Sequence, residues 1–169
     1  MRVLGIDPGS YITGYGIVDS DKGKLFHISD GSIVTGSKKT LASRLHSIFD
    51  NIQNVVKEFK PDNVVIEEIF YAKNARSAIM LGHARGVAIL CAAQHNLPVF
   101  EYSPMKIKQA VVGYGNATKE QVQKMVKALL KLDAVPKPDA SDALAAAICH
   151  IHHHKINFKS QISNLKLRA

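Results

Sequence analysis

Two acids in this chain stand at the ends of apolar, β-branched runs. Asp7 follows Val3, Leu4 and Ile6, and Glu67 follows Val64, Val65 and Ile66. Such runs are normally buried, and a buried carboxylate is costly without a partner. Two further acids, Asp139 and Asp142, are spaced i, i+3 and share a face if the segment is helical. Four carboxylates at one edge would repel one another unless cations sat between them. Hard oxygen donors of this kind suit Mg²⁺, with Mn²⁺ able to substitute. Two such ions roughly 3.5–4 Å apart activate a water and stabilise the leaving oxygen of a phosphodiester. Taken singly, each acid also has an ordinary explanation. Asp7-Pro8-Gly9 is turn chemistry, Asp139 is a natural N-cap, and Asp142 suits the helix dipole. Glu67-Glu68 reads equally as a solvated strand end. Spacing permits convergence; it does not establish it.

The elements that must position these groups can be read in order. Strands are expected over 1–7, 13–20 and 24–35, joined by short polar or glycine-containing links that suit an antiparallel meander. Leu41, Leu45, Ile48, Phe49, Ile52, Val55, Val56 and Phe59 keep one face of a helix, which Lys60-Pro61-Asp62 ends. A strand over 63–70 leads to Glu67 and Glu68, an Ala-rich helix runs from 74 to 95, and 98–103 is a strand. Ser103 caps a short helix that opens on Pro104, and Gly113-Tyr114-Gly115-Asn116 breaks it. Thr118 caps the next helix with Gln121 as its capping-box partner, and a last helix starts at Asp139. The order β-β-β-α-β-α-β-α-α-α predicts an α/β fold. Parallel strands are added to an antiparallel start, with helices covering the sheet. Strands entering in parallel present their C-terminal ends at one edge, where ligands of open sheets bind. Neighbouring first and fourth strands would therefore bring Asp7 and Glu67 into one crevice.

With 169 residues and 46% hydrophobic residues, the chain suits one folded domain, read as residues 1–155. Residues 156–169 read as a basic tail of weak periodicity without fixed structure. No apolar run approaches the ~18–20 residues of a membrane helix, so no membrane partner is expected. The chain opens directly on a strand, so no leader is expected either. Cys91 and Cys149 lie in Ala-rich apolar segments and read as buried thiols of a reducing cytoplasm rather than a disulfide framework. The net charge is +8, which favours a polyanionic partner. Lys106, Lys108, Lys119, Lys124, Lys127 and Lys131 face a single nearby acid, Glu120, across 104–131. Cys149-His150-Ile151-His152-His153-His154 has metal-ligand chemistry but no second ligand cluster. It reads as a helix end that tolerates histidines near its carbonyls.

The chain resembles the RuvC family of Holliday-junction resolvases, bacterial endonucleases with an RNase H-like fold. GIDPG (5–9), IEEIFYAKNARSA (66–78), LGHARGVAIL (81–90), IKQAVVGYGNATKEQVQKMV (107–126) and PDASDALAAAICH (138–150) carry the resemblance. It implies a mixed five-stranded sheet with helices on both faces. It also implies Mg²⁺-dependent resolution of four-way DNA junctions by paired nicks in opposed strands, in recombination and repair. Asp7, Glu67, Asp139 and Asp142 fall on the family's catalytic, metal-holding carboxylates. Lys119 falls on a lysine linked to catalysis and DNA binding, and Lys108 on a second such lysine. Phe70 falls on an aromatic that stacks on unpaired bases, with Lys73, Arg76 and Lys106 as further expected DNA contacts. A homodimer, a branch-migration motor as partner, and a cytoplasmic, nucleoid-associated role are implied as well. Ala78, Gly82, Ala84 and Gly86 on helix 74–95 would suit a dimer contact, or packing against the chain's own sheet.

Two other readings share some of these features. A nucleotide-binding ATPase of the actin and sugar-kinase type also begins with a strand, an Asp and a glycine-containing turn. It normally needs two such domains and a second phosphate loop. A non-catalytic module specific for DNA structure would satisfy the charge, but not four acids in a DNA groove.

Overall fold

The computed structural model describes residues 1–68 and 75–166, with side chains to residue 154. Its strands are β1 (Arg2–Asp7), β2 (Ile12–Asp21), β3 (Lys24–Val34), β4 (Asn63–Glu67) and β5 (Val99–Tyr102). The helices are α1 (Leu41–Phe59), α2 (Ala75–Gln94), α3 (Pro104–Val112), α4 (Lys119–Leu130) and α5 (Pro138–Lys166). The sheet order is β3-β2-β1-β4-β5, antiparallel through β1 and parallel from β1 to β5. This is the expected mixed sheet, with the order of elements as read from the sequence.

Alternation along the strands divides the core in two. Leu4, Ile6, Ile17, Val64 and Ile66 point to one face, where Ile48, Ile52, Ala84, Ala88 and Cys91 of α1 and α2 cover them. Val3, Val18 and Val65 point to the other, beneath Ile107, Val126, Leu144 and Ile148 of α3, α4 and α5. Both cysteines are buried free thiols.

Local chemistry sets the helix ends. Thr40 and Ser103 accept from the backbone N–H groups of Ser43 and Lys106, capping α1 and α3. Thr118 and Gln121 form the full capping box of α4. Gly113 ends α3 in the left-handed region, at φ 98°.

Three expectations change at α5. The helix opens on Pro138, with the Lys137 carbonyl accepting from the Ser141 N–H, so Asp139 is its second residue and not its N-cap. Proline fits the first helical position because it lacks an N–H to satisfy. The helix also continues to Lys166, past the expected start of the tail at 156, so the histidine run lies inside it rather than at its end. Within that run His152 Nδ1 lies 3.0 Å from the Ala110 carbonyl, and His153 Nδ1 lies 2.9 Å from the Cys149 carbonyl. Among the described residues no helix is long and apolar enough to cross a membrane.

Candidate active site

The carboxylates meet because α5 lies unusually close to the sheet. A side-chain carbon on Gly5 would collide with the Ala143 carbonyl, and one on Gly14 with the Asp139 carbonyl. On Gly16 it would strike Leu144. Gly14 and Gly16 sit two apart on β2, and Gly5 pairs with Gly16 across β1, so these residues form a shallow floor on one face. The Ala-rich start of α5 settles into it, with Ala140, Ala143 and Ala147 almost wholly buried. Gly14 is in turn the register partner of Asp7. The first turn of α5, with Asp139 and Asp142, is therefore held over the end of β1.

Glu67 arrives by register. Ile6 pairs with Ile66 in the parallel β1–β4 ladder, and both face α1 and α2. The next residue on each strand, Asp7 and Glu67, must point the opposite way, toward α5. The β1–β2 turn that follows Asp7 is fixed in two ways. Thr13 Oγ1 donates to the Gly9 carbonyl at 2.7 Å, and a side-chain carbon on Gly9 would meet the Ile12 carbonyl.

The electrostatics record the crowding. The Asp7 carboxyl is pushed up to about 7, first by burial and then by the charges of Asp142, Glu67 and Asp139, with Lys119 acting the other way. Burial raises Glu67 and Asp142 as well, while Lys119 and Lys108 lower both. Lys119 Nζ stands 3.4 Å from Asp142 Oδ2, and that charge raises the ammonium's own pKa. Lys108 and Lys119 line a cavity of about 180 Å³ together with Glu67 and Asp142.

The four acids and two lysines named from the sequence thus belong to one edge of the sheet. Lys106 does not join them. It is exposed and does not line that cavity; its carbonyl lies 3.8 Å from the Cys149 Sγ. Arg76, at the start of α2, lines a different cavity with Ser10 and Tyr11. Phe70 and Lys73 lie outside the described residues. The glycine floor escaped the sequence reading. Its signal was present in the alternate glycines of GYG (14–16) and in an Ala-rich last helix.

The donor set has the chemistry of a hard divalent cation: oxygen ligands only, with burial first and the charges of the other acids second pushing the Asp7 carboxyl up to about 7. The acids are not drawn in to coordination distance. Among the described residues no three His, Cys, Asp or Glu side chains form a finished metal cluster.

Residues 3–150 match the family model described as crossover junction endodeoxyribonuclease RuvC. A protein of that name from Pelobacter propionicus is 54% identical over 156 residues, which cover 92% of this chain and 89% of that one. The structure of T. thermophilus RuvC in complex with a Holliday junction substrate superposes with a TM-score of 0.88 at 33% identity, covering 93% of this chain and 96% of that one. The yeast mitochondrial Holliday junction resolvase Ydc2 shares the fold, with a TM-score of 0.63 at 14% identity over 95% of this chain and 85% of that one. These matches decide against the ATPase and the non-catalytic module. The chain belongs to the RuvC family of crossover junction endodeoxyribonucleases, with their RNase H-like fold.

Proposed function

We propose that this chain resolves four-way DNA junctions by hydrolysing one phosphodiester in each of two opposed strands, at the edge where Asp7, Glu67, Asp139 and Asp142 meet. The observation that carries the reading is that Asp7 and Glu67 each follow the Ile6–Ile66 register pair, on the side of the sheet where the first turn of α5 is held against Gly14. Those four residues would hold divalent metal, Mg²⁺ foremost and Mn²⁺ as substitute. Bound there, the metal supplies positive charge that makes a water more acidic and offsets charge building on the phosphate.

The chain's own groups do the rest. The carboxylates orient water toward the phosphorus on the sheet side of the crevice. Lys119, kept protonated by Asp142, offers a fixed charge to the phosphate rather than a base. Lys108 stands on the same wall. As the water oxygen bonds to phosphorus it gives up a proton to solvent, one ester bond breaks, and the leaving oxygen takes a proton back from solvent. Phe70, Lys73, Arg76 and Lys106 are the further DNA contacts of this reading, Phe70 as a stacking surface for unpaired bases.

Paired nicks require two sites, and the outer face of α2 offers the means. Ile79 and Leu90 are 60% and 53% exposed, and the space beside Gly82 and Gly86 is open. Ala84, by contrast, is buried against the sheet. We assign this outer face to a two-fold homodimer, so that the symmetry of the enzyme mirrors that of the junction. Cooperation with a branch-migration motor on chromosomal DNA in the bacterial cytoplasm completes the reading. Nicking of an end-labelled four-way junction, with Mg²⁺ and with chelator, is the test.

A further inference from the structure

On the opposite face of the sheet, the edge that carries Asp7 borders an open cavity of about 500 Å³. The chain reaches it in three residues, since Ser10 and Tyr11 of the β1–β2 turn line it. Arg44 of α1 and Arg76 and Ser77 of α2 complete its polar wall. β3 and β4 both run toward this edge, so α1 and α2, which follow them, begin there.

The charges here are the reverse of what helices ordinarily choose. A helix start favours acids, because its free N–H groups carry partial positive charge. Neither α1 nor α2 has an acid in its first turn, and each places an arginine there instead. Among the described residues no carboxylate lines the cavity.

Arg44 adds a second, independent observation. It is only 5% exposed, and its Nε and Nη1 have no hydrogen-bond partner. Its guanidinium lies 4.2 Å from the centre of the Tyr11 ring, which holds the group in place but accepts none of its N–H bonds. A buried cation without an acceptor is costly, and an arginine fork matches the oxygens of a phosphate. Two helix starts, two arginines and two serines around one opening call for a tetrahedral oxyanion.

Resting on the junction-resolving reading above, we propose that this cavity holds a backbone phosphate of the bound DNA, away from the linkage that is cut. The strand then passes over the sheet edge, one phosphate at the carboxylates and another against Arg44 and Arg76. The β1–β2 turn lies between them and keeps the two positions in register.

The experiment replaces single phosphates of a fluorescent four-way junction by neutral methylphosphonates and measures binding in Ca²⁺ to the full chain, Arg44→Gln and Arg76→Gln. One linkage other than the cut one should weaken wild-type binding about tenfold, the loss of one charge-assisted bond. That linkage should have no further effect in either variant. Arg76 is exposed, so Arg76→Gln carries the comparison if Arg44→Gln does not fold. Wild type that binds junctions while no linkage couples to either arginine overturns the proposal and leaves the resolvase reading intact. Inorganic phosphate that raises the melting temperature of wild type but not of Arg76→Gln, without linkage coupling, assigns the cavity to free phosphate and also overturns it. Wild type that does not bind the unmodified junction removes the reading beneath it.

Discussion

Gly14 of β2 and Asp139 of α5 touch backbone to backbone, with no room for a side-chain carbon between them. Asp7 is the register partner of that glycine, so one close approach sets the distance between the strand acid and the helix acids. Gly14→Ala should therefore cost ~1–3 kcal/mol of stability through overpacking. Its effect on nicking should be larger, on the order of 100-fold, because the first turn of α5 is pushed off the sheet. Thermal melting and single-turnover nicking at a temperature where both proteins are folded make the comparison. Nicking reduced only in proportion to the folded fraction would remove Gly14 from the positioning of the site.

The lysines give a prediction in salt dependence. If Lys108 and Lys119 contact phosphate, replacing either by Ala should lower the slope of log affinity against log salt by up to about 0.9. The measurement is junction binding in Ca²⁺, whose looser coordination fills a carboxylate site without aligning the attacking water well. Slopes unchanged in both variants would take them off the DNA surface.

His150 should give folding a pH dependence. The ring is buried, with Nε2 3.2 Å from the Asn63 amide nitrogen and Nδ1 3.0 Å from the Tyr102 hydroxyl, and it packs 4.3 Å from Phe100. Burial, then the neighbouring His154 and His153, pushes its pKa down to about 4. The unfolded chain, with an ordinary value near 6.5, takes up the proton first. Stability is thus full above pH ~6.5 and falls toward pH 4, by up to about 1.4 kcal/mol per unit from this group. His150→Gln should remove close to one proton from the slope of unfolding free energy between pH 6 and 5. Parallel slopes for the two proteins would contradict the assignment.

The outer face of α2 yields a prediction on assembly. Leu90 is exposed toward the C-terminal end of this face, so Leu90→Glu should leave the fold intact and place a charge in the proposed dimer contact. Sedimentation velocity should show wild type as a dimer and the variant shifted toward monomer. A variant that remains dimeric at the same concentration locates the interface elsewhere.

Much of this was legible in the sequence because period and punctuation carried it. Alternating and three-four spacings gave the elements, and Ser103, Thr118 and Gln121 announced their caps. Asp7 and Glu67 could be placed at one edge because parallel strands share an edge. The depth at which α5 lies was not legible, since it depends on Gly5 and Gly14 meeting carbonyls that are distant in sequence. The start of α5 was misplaced by one residue because Asp139 is a good N-cap by type, whereas Pro138 occupies the first helical position. Arg44 carries no signal in the sequence beyond lying within an amphipathic helix, off its apolar run. Its isolation is a property of the cavity beside it, and no local pattern encodes that.

If the carboxylates at this edge cut DNA with the help of metal, Asp142→Asn must separate folding and binding from cutting. Asn keeps the size of the side chain and removes the charge that would bind Mg²⁺, and Asp142 does not cap the helix. Asp142→Asn should melt in chelator at or above the wild-type temperature, because one of four repelling charges is gone. It should bind a four-way junction in Ca²⁺ as wild type does. In Mg²⁺ its single-turnover nicking rate should fall by orders of magnitude. Nicking by Asp142→Asn at the wild-type rate, or full nicking by wild type in chelator alone, would mean that these carboxylates do not cut DNA through bound metal.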